Sequence, residues 1–354
     1  MAIKKILILR FSSLGDIILT TPLLKILRTN FPEAQIDYCT KKSYSDLLKY
    51  NPAVSNVLEV SDDMDFAELR LLKKILIKNK YDLVIDLHNN LRTFYLKLSL
   101  RLRTLVVVFK KYSYRKFLLV HFKINRMKDM PSIAQRYIGT IKHIIDVNTI
   151  ELTPEIFTNE YAVENAKKLL NNIYPSPSGR TGGAKLICIV PSSKHFTKTY
   201  PAENYIELIN KFDKDNYKFA LAGAGKDKDI IGKIKSGTDD NVYNLCDKLS
   251  LPVLSEFMKM CDLVISGDTG PMHIAEAAGV PIIMLAGSSV KEFGFYPSPL
   301  LRGGVGGEVL EVNNLPCRPC SHIGKDYCPK GHFKCMKDIT PNMVYEKIMS
   351  QVIG

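Results

Sequence analysis

Three short polar stretches hold residue types that could bind a phosphate or move a proton, and each follows an apolar run. The first is 11–16, FSSLGD. Its backbone amides and the start of the next helix could hold an anion or a hydroxyl group. Asp16 could act there as a general base on a hydroxyl within hydrogen-bonding distance. Aspartate is also a common helix cap, so the residues by themselves leave both roles open.

The second stretch is 190–201, VPSSKHFTKTYP. Its hydroxyl side chains, its two lysines and the helix start that follows are typical of a phosphate-binding turn. A polar surface loop would have a similar composition, so both interpretations stay open here.

The third stretch is 266–279, SGDTGPMHIAEAAG. Thr269 and Gly270 would present backbone amides and a hydroxyl at a helix N-terminus, where a pyrophosphate is well placed. Gly270 would also let a phosphate approach the backbone closely. His273 lies in the first helical turn on the same side. A histidine within a helix is usually structural, but this position favours a ligand contact.

Apolar runs alternate with amphipathic stretches along the chain, which predicts an α/β protein with parallel sheets. In the first half the predicted strands are 4–10, 35–40, 57–60, 81–87 and 104–109, and the predicted helices are 17–30, 44–50, 65–79 and 161–173. In the second half the predicted strands are 186–190, 218–222, 263–266 and 282–285, and the predicted helices are 202–212, 227–235, 255–261, 272–278 and 341–352. Pro22 predicts a kink or a late start in the first helix.

A stretch rich in Gly, Pro and Ser, 175–184, separates the two series and predicts a linker. We expect Rossmann-like domains at 1–174 and 185–340 that face each other across a cleft, and a terminal helix at 341–354. Ligands in such domains bind in the turns beyond the carboxyl ends of the strands. Neither half has a GxGxxG sequence after its first strand, which argues against a dinucleotide dehydrogenase.

The composition, 46% hydrophobic and 24% charged residues, is typical of a globular protein and excludes a largely disordered chain. No apolar run approaches the roughly 20 residues that span a bilayer. The N-terminal apolar run is short and lacks a cleavage site for a signal peptidase. We therefore expect a cytosolic protein whose eight cysteines are thiols or metal ligands.

The formal net charge is +13, and most of the excess lies in residues 92–128, here called the basic segment. It contains eleven Lys or Arg residues, no Asp or Glu, and interleaved aromatic residues. It could be a solvated surface, a nucleic-acid contact, or a contact for an anionic membrane or a phosphorylated lipid. No helix-turn-helix, zinc-finger or RNA-binding signature supports the second interpretation.

Four cysteines lie close together near the C-terminus, namely Cys317, Cys320, Cys328 and Cys335. A CxxC pair followed by two further cysteines could bind a structural zinc ion. The second pair lacks the CxxC spacing, so a set of free thiols in a loop is an equal alternative. The other four cysteines lie in or beside apolar runs and are expected in the core.

Taken together, SSLGD at 12–16, KTYP at 198–201 and SGDTGPMHIAEAAGVP at 266–281 resemble glycosyltransferase family nine, the heptosyltransferase family of lipopolysaccharide core synthesis. The likeness runs over nearly the whole chain, in order and at matching spacing. The stretch 316–341, PCRPCSHIGKDYCPKGHFKCMKDITP, is similar to the tail of the heptosyltransferase II-like branch.

This resemblance implies a GT-B fold whose terminal helix packs back on the N-terminal, acceptor-binding domain. It implies inverting, metal-independent transfer from ADP-heptose to a hydroxyl of a lipid A–Kdo type acceptor, with no cofactor required. By position, Asp16 resembles the catalytic base. The residues that the resemblance assigns to the donor are Ser193, Lys198, Asp268, Thr269, Gly270 and His273.

Two positions depart from the family pattern. Some relatives carry an acidic residue just after the glycine turn of the second strand in this domain, where it is thought to hold the ribose. Here the stretch 223–227 reads GAGKD, and Asp227 is the nearest candidate. Tyr200 stands where many relatives have Trp.

The family's acceptors are phosphorylated glycolipids at the inner leaflet, so the resemblance favours a lipid rather than a nucleic acid as the partner of the basic segment. We expect a peripheral protein at the inner face of the cytoplasmic membrane. The candidate acceptor contacts are Ser13, Arg92, Lys97, Arg101 and Arg115. The alternatives are the same fold with another nucleotide-sugar donor or surface-glycan acceptor, and a non-catalytic scaffold that binds anionic lipid or nucleic acid.

Overall fold

The structure, a computed structural model, describes residues 3–98, 100, 104–145, 153–175, 183–299 and 306–352. The chain forms two compact units. The first comprises Met1–Tyr112 and Pro131–Thr158, and the second comprises Ser113–Met130 and Asn159–Gly354. Most of the predicted linker at 175–184 lies outside the described residues, and the helix that precedes it belongs to the second unit.

The first unit contains a five-stranded parallel sheet. Its strands are β1 (Lys5–Leu9), β2 (Gln35–Lys41), β3 (Asn56–Val60), β4 (Leu83–Asp86) and β5 (Leu105–Val108). Their order in the sheet is β3-β2-β1-β4-β5. The central strands β1 and β4 are apolar runs that are almost fully buried, as expected for a parallel sheet that helices cover on both faces. All five predicted strands are confirmed.

The helices of the first unit follow the prediction less closely. They are α1 (Leu14–Ile18), α2 (Thr21–Asn30), α3 (Lys42–Ser45), α4 (Phe66–Asn79), α5 (Leu91–Leu98) and α7 (Ile133–Ile138). The predicted helix at 17–30 is two helices, because Pro22 lies in the first turn of α2, where its missing N–H needs no partner. The sequence analysis missed α5 and α7, although Ser132 and Gln135 form a capping box that marks the start of α7.

The second unit contains a six-stranded parallel sheet. Its strands are β6 (Lys185–Val190), β7 (Tyr217–Leu221), β8 (Val242–Asn244), β9 (Leu263–Gly267), β10 (Ile282–Ala286) and β11 (Gly307–Glu311). The order is β11-β10-β9-β6-β7-β8. The four predicted strands are confirmed, whereas the two edge strands β8 and β11 are short or polar and carry little sequence signal.

Eight helices of the second unit are described: α6 (Ser113–Phe122), α8 (Glu160–Ile173), α9 (Ala202–Ile209), α10 (Lys228–Ser236), α11 (Leu251–Lys259), α12 (Gly270–Ala278), α13 (Lys334–Lys337) and α14 (Pro341–Val352). Because α6 belongs here, the structure divides the basic segment between the two units. None of the helices in the described ranges is long and apolar enough to span a membrane.

The predicted terminal helix α14 is present. Val344 and Ile348 are fully buried in the core of the second unit, together with side chains of its sheet and of α9. Lys347 pairs with Glu308 of β11 in the same unit. The apolar side chains of α14 therefore stabilise the second unit.

Candidate functional site

The strand order of each sheet marks one place where a ligand fits. In the first sheet the order reverses between β1 and β4, and in the second between β6 and β9. Helices on the two sides of such a reversal diverge and leave a crevice at the carboxyl ends of the strands. The three polar turns of the sequence analysis follow β1, β6 and β9, so all three lie at these reversals.

Asp16, in the first turn of the short helix α1 that follows β1, is buried and held by three side chains. Its Oδ2 atom lies 2.6 Å from Nη2 of Arg10 and accepts a 2.6 Å hydrogen bond from the hydroxyl of Ser13. Tyr137 of α7 donates its phenolic hydroxyl to Oδ1, also at 2.6 Å. Because both carboxylate oxygens have partners, the orientation of the carboxylate is fixed.

This environment sets the ionisation of Asp16. Burial by itself raises the pKa of the carboxyl group, but the charge of Arg10 and the hydrogen bonds from Ser13 and Tyr137 outweigh burial and lower the pKa to about 2. Asp16 is therefore a carboxylate at neutral pH. It also accepts the backbone N–H of Ser13 at 3.2 Å, so it caps α1 and remains placed to accept a proton.

Two further titratable groups lie near Asp16 that the sequence analysis missed. His88 follows β4, and its ring centroid lies 5.1 Å from that of Phe11. Burial and the charges of Arg10 and Lys111 lower the pKa of His88 to about 4, so the imidazole is neutral at physiological pH. Burial, and then the charge of Arg10, also lowers the pKa of Lys111.

A buried ion pair holds the turn that carries His88. Nζ of Lys97 lies 2.5 Å from Oδ2 of Asp86, and both side chains are buried. The other oxygen of Asp86 accepts the backbone N–H groups of His88 and Asn89, at 3.0 and 2.7 Å. Lys97, a candidate acceptor contact, is therefore a structural partner of Asp86 in this fold.

The other candidate acceptor contacts belong to different elements of the chain. Ser13 is next to Asp16, and Arg92 is exposed at the start of α5. Arg115 is exposed on α6 in the second unit, and Arg101 lies outside the described residues.

In the second unit, Lys198 and Asp268 come together. Lys198 lies in the turn after β6 and Asp268 directly follows β9, and Nζ of the lysine is 2.6 Å from Oδ2 of the aspartate. The hydroxyl of Ser289, in the turn after β10, donates to the same carboxylate oxygen. The sequence analysis singled out the first two residues and missed Ser289, which lies in a Gly-Ser-Ser turn without a distinctive motif.

The backbone around this pair is closely packed. A Cβ atom on Gly267 would lie 2.6 Å from the carbonyl oxygen of Lys198, so only glycine lets the two turns approach. Thr269 is the N-cap of α12, and its hydroxyl lies 3.0 Å from that of Ser266. Gly270 begins α12, so the N-terminal amides of this nine-residue helix lie beside the Lys198–Asp268 pair.

His273 is buried in α12, and its Nδ1 atom lies 3.0 Å from Oε2 of Glu276. Glu276 in turn accepts the backbone N–H of Ser298 at 2.9 Å. One ring nitrogen is thus engaged with a buried carboxylate, which orients the imidazole.

Ser193 is hydrogen-bonded within its own turn, whereas Asp227 is hydrogen-bonded within its own turn and to the turn after β6. The hydroxyl of Ser193 accepts the backbone N–H of His195 at 3.3 Å. Asp227 is buried and accepts a hydrogen bond from the hydroxyl of Ser192 and one from the backbone N–H of Ala224, at 2.8 Å for the latter. These contacts make Asp227 a capping residue of the turn after β7.

The four clustered cysteines lie close together, and the zinc interpretation stays a prediction. In the described part of the chain, no three His, Cys, Asp or Glu side chains are arranged to hold a metal ion. None of the four cysteines forms a disulfide. Burial, together with the neighbouring Cys320, Cys317 and Cys328, raises the pKa of Cys335 to about 12.

Comparison with known proteins shows which family this chain resembles. The sequence model of glycosyltransferase family 9 (heptosyltransferase) matches residues 69–304. Lipooligosaccharide heptosyltransferase 2 of Haemophilus influenzae is 26% identical to this chain over 97% of the chain and 98% of that protein. Lipopolysaccharide heptosyltransferase 3 of Escherichia coli is 24% identical over 78% of the chain and 81% of that protein.

Solved structures have the same fold. A family 9 glycosyltransferase from Veillonella parvula superposes with a TM-score of 0.78 at 24% identity, over 99% of this chain and 97% of that one. The ADP-heptose lps heptosyltransferase II of E. coli gives a TM-score of 0.71 at 20% identity, over 99% and 98% of the two chains.

Proposed function

The chain belongs to glycosyltransferase family 9, the heptosyltransferase family, and from that premise we propose that it transfers a heptose from ADP-heptose to a hydroxyl of a lipopolysaccharide core acceptor. We propose further that the transfer inverts the anomeric centre and needs no metal ion. The observation that carries this proposal is the placement of an ionised Asp16 at the reversal of one sheet and of Lys198, Asp268 and the N-terminus of α12 at the reversal of the other.

The proposed reaction is a displacement at the anomeric carbon of the heptose. The acceptor oxygen forms a bond to that carbon while the bond from the carbon to the β-phosphate oxygen breaks, and the bonding electrons leave with ADP. The hydroxyl proton passes to the Asp16 carboxylate. Attack from the side opposite the leaving group inverts the configuration.

The low pKa of Asp16 determines when that proton moves. A carboxylate with a pKa of about 2 is a weak base, so it takes the proton only after bond formation has made the acceptor hydroxyl strongly acidic. Before that point it accepts a hydrogen bond from the hydroxyl and orients it. Ser13 and Tyr137 keep the carboxylate in place for both steps.

The positive charge that stabilises the departing ADP would come from the second unit. Lys198 and the amides at Thr269 and Gly270 can take the pyrophosphate, the role that a divalent cation fills in other transferases. When Lys198 turns to the phosphates, the Ser289 hydroxyl remains on Asp268 and keeps that carboxylate oriented toward the sugar. Ser193 and His273 are proposed as further donor contacts.

The test combines a transfer assay with nucleotide binding. Purified protein is incubated with ADP-heptose and a heptose-free lipid A–Kdo acceptor, with and without EDTA, and the release of ADP and the mass of the product are measured. We expect one heptose to be added in both conditions. Asp16→Asn should lower turnover by about 10²–10⁴-fold, which is the usual contribution of a general base. The variant should retain thermal stabilisation by ADP.

Other outcomes point to the alternatives. Transfer from a different ADP- or GDP-activated sugar, with none from ADP-heptose, would establish the alternative donor. A protein that no nucleotide stabilises would be a non-catalytic scaffold, since a ligand at 100 times its Kd adds about 2.7 kcal/mol to the stability.

We propose that the acceptor is presented at an anionic membrane surface, at the inner face of the cytoplasmic membrane. On α4 and α5 large apolar side chains are exposed, with Phe66 60%, Phe94 50% and Leu91 87% accessible. The rings of Phe66 and Tyr95 lie 5.5 Å apart, so the two helices present one surface. The guanidinium group of Arg70 lies 5.6 Å from the centre of the Phe66 ring, and Nζ of Lys73 lies 4.0 Å from the centre of the Tyr95 ring. Arg92 of α5 is exposed. An apolar patch with a basic rim is typical of a membrane contact.

Vesicle binding tests this part separately. We expect the protein to sediment with vesicles of phosphatidylglycerol and phosphatidylcholine but not with phosphatidylcholine alone. Phe94→Ser should weaken binding to the anionic vesicles, whereas Tyr161→Ser, at an exposed aromatic of α8, should not. Equal losses from the two variants would contradict the assignment of this surface.

A further inference from the structure

Residues 317–335, here called the cysteine segment, contact the turn that carries Lys198 and the turn that carries Ser289. On one side, Thr197 donates its backbone N–H to the carbonyl of Lys325 at 3.1 Å, and the N–H of Lys325 returns a 2.9 Å bond to the hydroxyl of Thr197. The rings of Phe196 and Phe333 stack at 4.5 Å. The cysteine segment therefore fixes the turn that carries Lys198.

On the other side, Arg318 holds the turn that carries Ser289. Its Nε atom donates to the carbonyl oxygen of Ser289 at 2.9 Å, and Nη2 donates to that same oxygen and to the hydroxyl of Tyr296. The guanidinium group also pairs with Glu311 and donates to the carbonyl of Val312 at 3.1 Å. Arg318 thus has a partner for each of its three nitrogens.

These contacts converge on one hydrogen bond. The backbone carbonyl of Ser289 is held by Arg318, and the hydroxyl of the same residue donates to Asp268. Ser289 is almost fully buried, with 3% of its surface exposed, so no water replaces that donor freely. A change in the position of the Ser289 backbone would move its hydroxyl away from the carboxylate.

We propose that Arg318 is a positioning residue for the sugar-binding carboxylate Asp268 and acts on it through Ser289. The cysteine segment would thereby stabilise the donor site, because it contacts both the turn of Lys198 and the turn of Ser289. The inference rests on the proposed function, in which Asp268 contacts the donor sugar. It gives the segment a role that requires neither a metal ion nor a disulfide.

Steady-state kinetics with ADP-heptose tests the inference. Removing a hydrogen bond to a charged group typically reduces an interaction by about 10-fold or more. We expect Ser289→Ala to raise the KM for ADP-heptose about 10-fold, with a smaller change in kcat and little change in Tm. Ser289→Thr, which keeps the hydroxyl, should recover most of the loss. Arg318→Met should raise the same KM, and Lys330→Met, at an exposed cation of the same segment, should not.

The decisive measurement is the double variant. If Arg318 acts through Ser289, the two substitutions remove the same interaction, and the KM of the double variant should equal that of the worse single variant. Additive effects on KM, or a loss of Tm with an unchanged KM in Ser289→Ala, would overturn the proposal. If the wild-type protein is active and the effects of the two substitutions on KM are additive, only this inference is refuted. If the wild-type protein turns over no ADP-heptose, the proposed function is refuted.

Discussion

Arg10→Met should move the pH dependence of turnover into the measurable range. In the wild-type protein the pKa of Asp16 is about 2, so protonation of Asp16 does not limit activity between pH 5 and pH 8. The charge of Arg10 is the largest influence that lowers this pKa, and burial acts in the opposite direction. Without Arg10, burial would dominate, and the carboxyl group would hold its proton at higher pH.

The size of the shift follows from the geometry. With Nη2 and Oδ2 in direct contact at 2.6 Å, the charge centres of the two groups lie roughly 4 Å apart, a separation worth about 4 kcal/mol at an effective dielectric constant of 20. That energy corresponds to about 3 pKa units, so the pKa of Asp16 should rise to ~5. Tyr137→Phe removes one hydrogen bond to the charged carboxylate, worth about 1.5–3 kcal/mol, and should give a smaller rise in the same direction.

The assay is kcat/KM for the acceptor between pH 4.5 and pH 8.5. We expect a fall below about pH 5 for Arg10→Met. The wild-type protein and Tyr137→Phe should both have a flat acid limb in this range, because the smaller rise in Tyr137→Phe leaves the pKa of Asp16 below the lowest pH of the assay. Circular dichroism at each pH verifies that the variants stay folded. Superimposable profiles for all three proteins would refute the assignment of Asp16 as the base, because its ionisation would then have no effect on turnover.

Three further substitutions test other parts of the site. Lys198→Met should lower kcat/KM for ADP-heptose by about 10²–10³-fold, as loss of a transition-state charge contact does elsewhere, and unchanged kinetics would exclude a role at the leaving group. Lys97→Met should destabilise the protein to urea by about 3–5 kcal/mol, because it leaves Asp86 buried without its cation. Arg92→Met should leave the stability unchanged, and an equal loss for the two would contradict the buried-pair assignment. Gly267→Ala should raise the KM for ADP-heptose and cost about 1–3 kcal/mol of stability, since its Cβ meets the Lys198 carbonyl at 2.6 Å; an unchanged KM would show that the two turns need not stay in contact.

Local pattern was sufficient for the apolar strands of both sheets and for locating the three polar turns. The apolar runs at 4–10 and 263–266 predict β1 and β9 because buried parallel strands are continuously apolar. The polar turns after β1, β6 and β9 were identified because short stretches of Gly, Ser and Asp between an apolar run and a helix start are unusual within a single chain.

Local pattern was insufficient for short and edge elements. The strand β11 is half-buried along its whole length. The helix α5 begins after Asn90, whose side chain accepts the backbone N–H of Thr93 at 3.0 Å, a cap that was not recognised in the sequence. Their conformation depends on the neighbour against which they pack, and the neighbour comes from a distant part of the chain.

The sequence alone determined the two parallel α/β series, the family, and Asp16, Lys198, Asp268, Thr269 and Gly270 as candidate site residues. Only the tertiary structure decided which side chains surround them. Tyr137 reaches Asp16 across 121 positions of the chain. Lys97 forms an ion pair with Asp86. The hydroxyl of Ser289 donates to Asp268, and Arg318 donates to the backbone carbonyl of Ser289. The physical reason is that ion pairs and hydrogen bonds depend on distances of 2.5–3.5 Å, and the order of strands in a sheet sets those distances, whereas the order of residues in the chain does not.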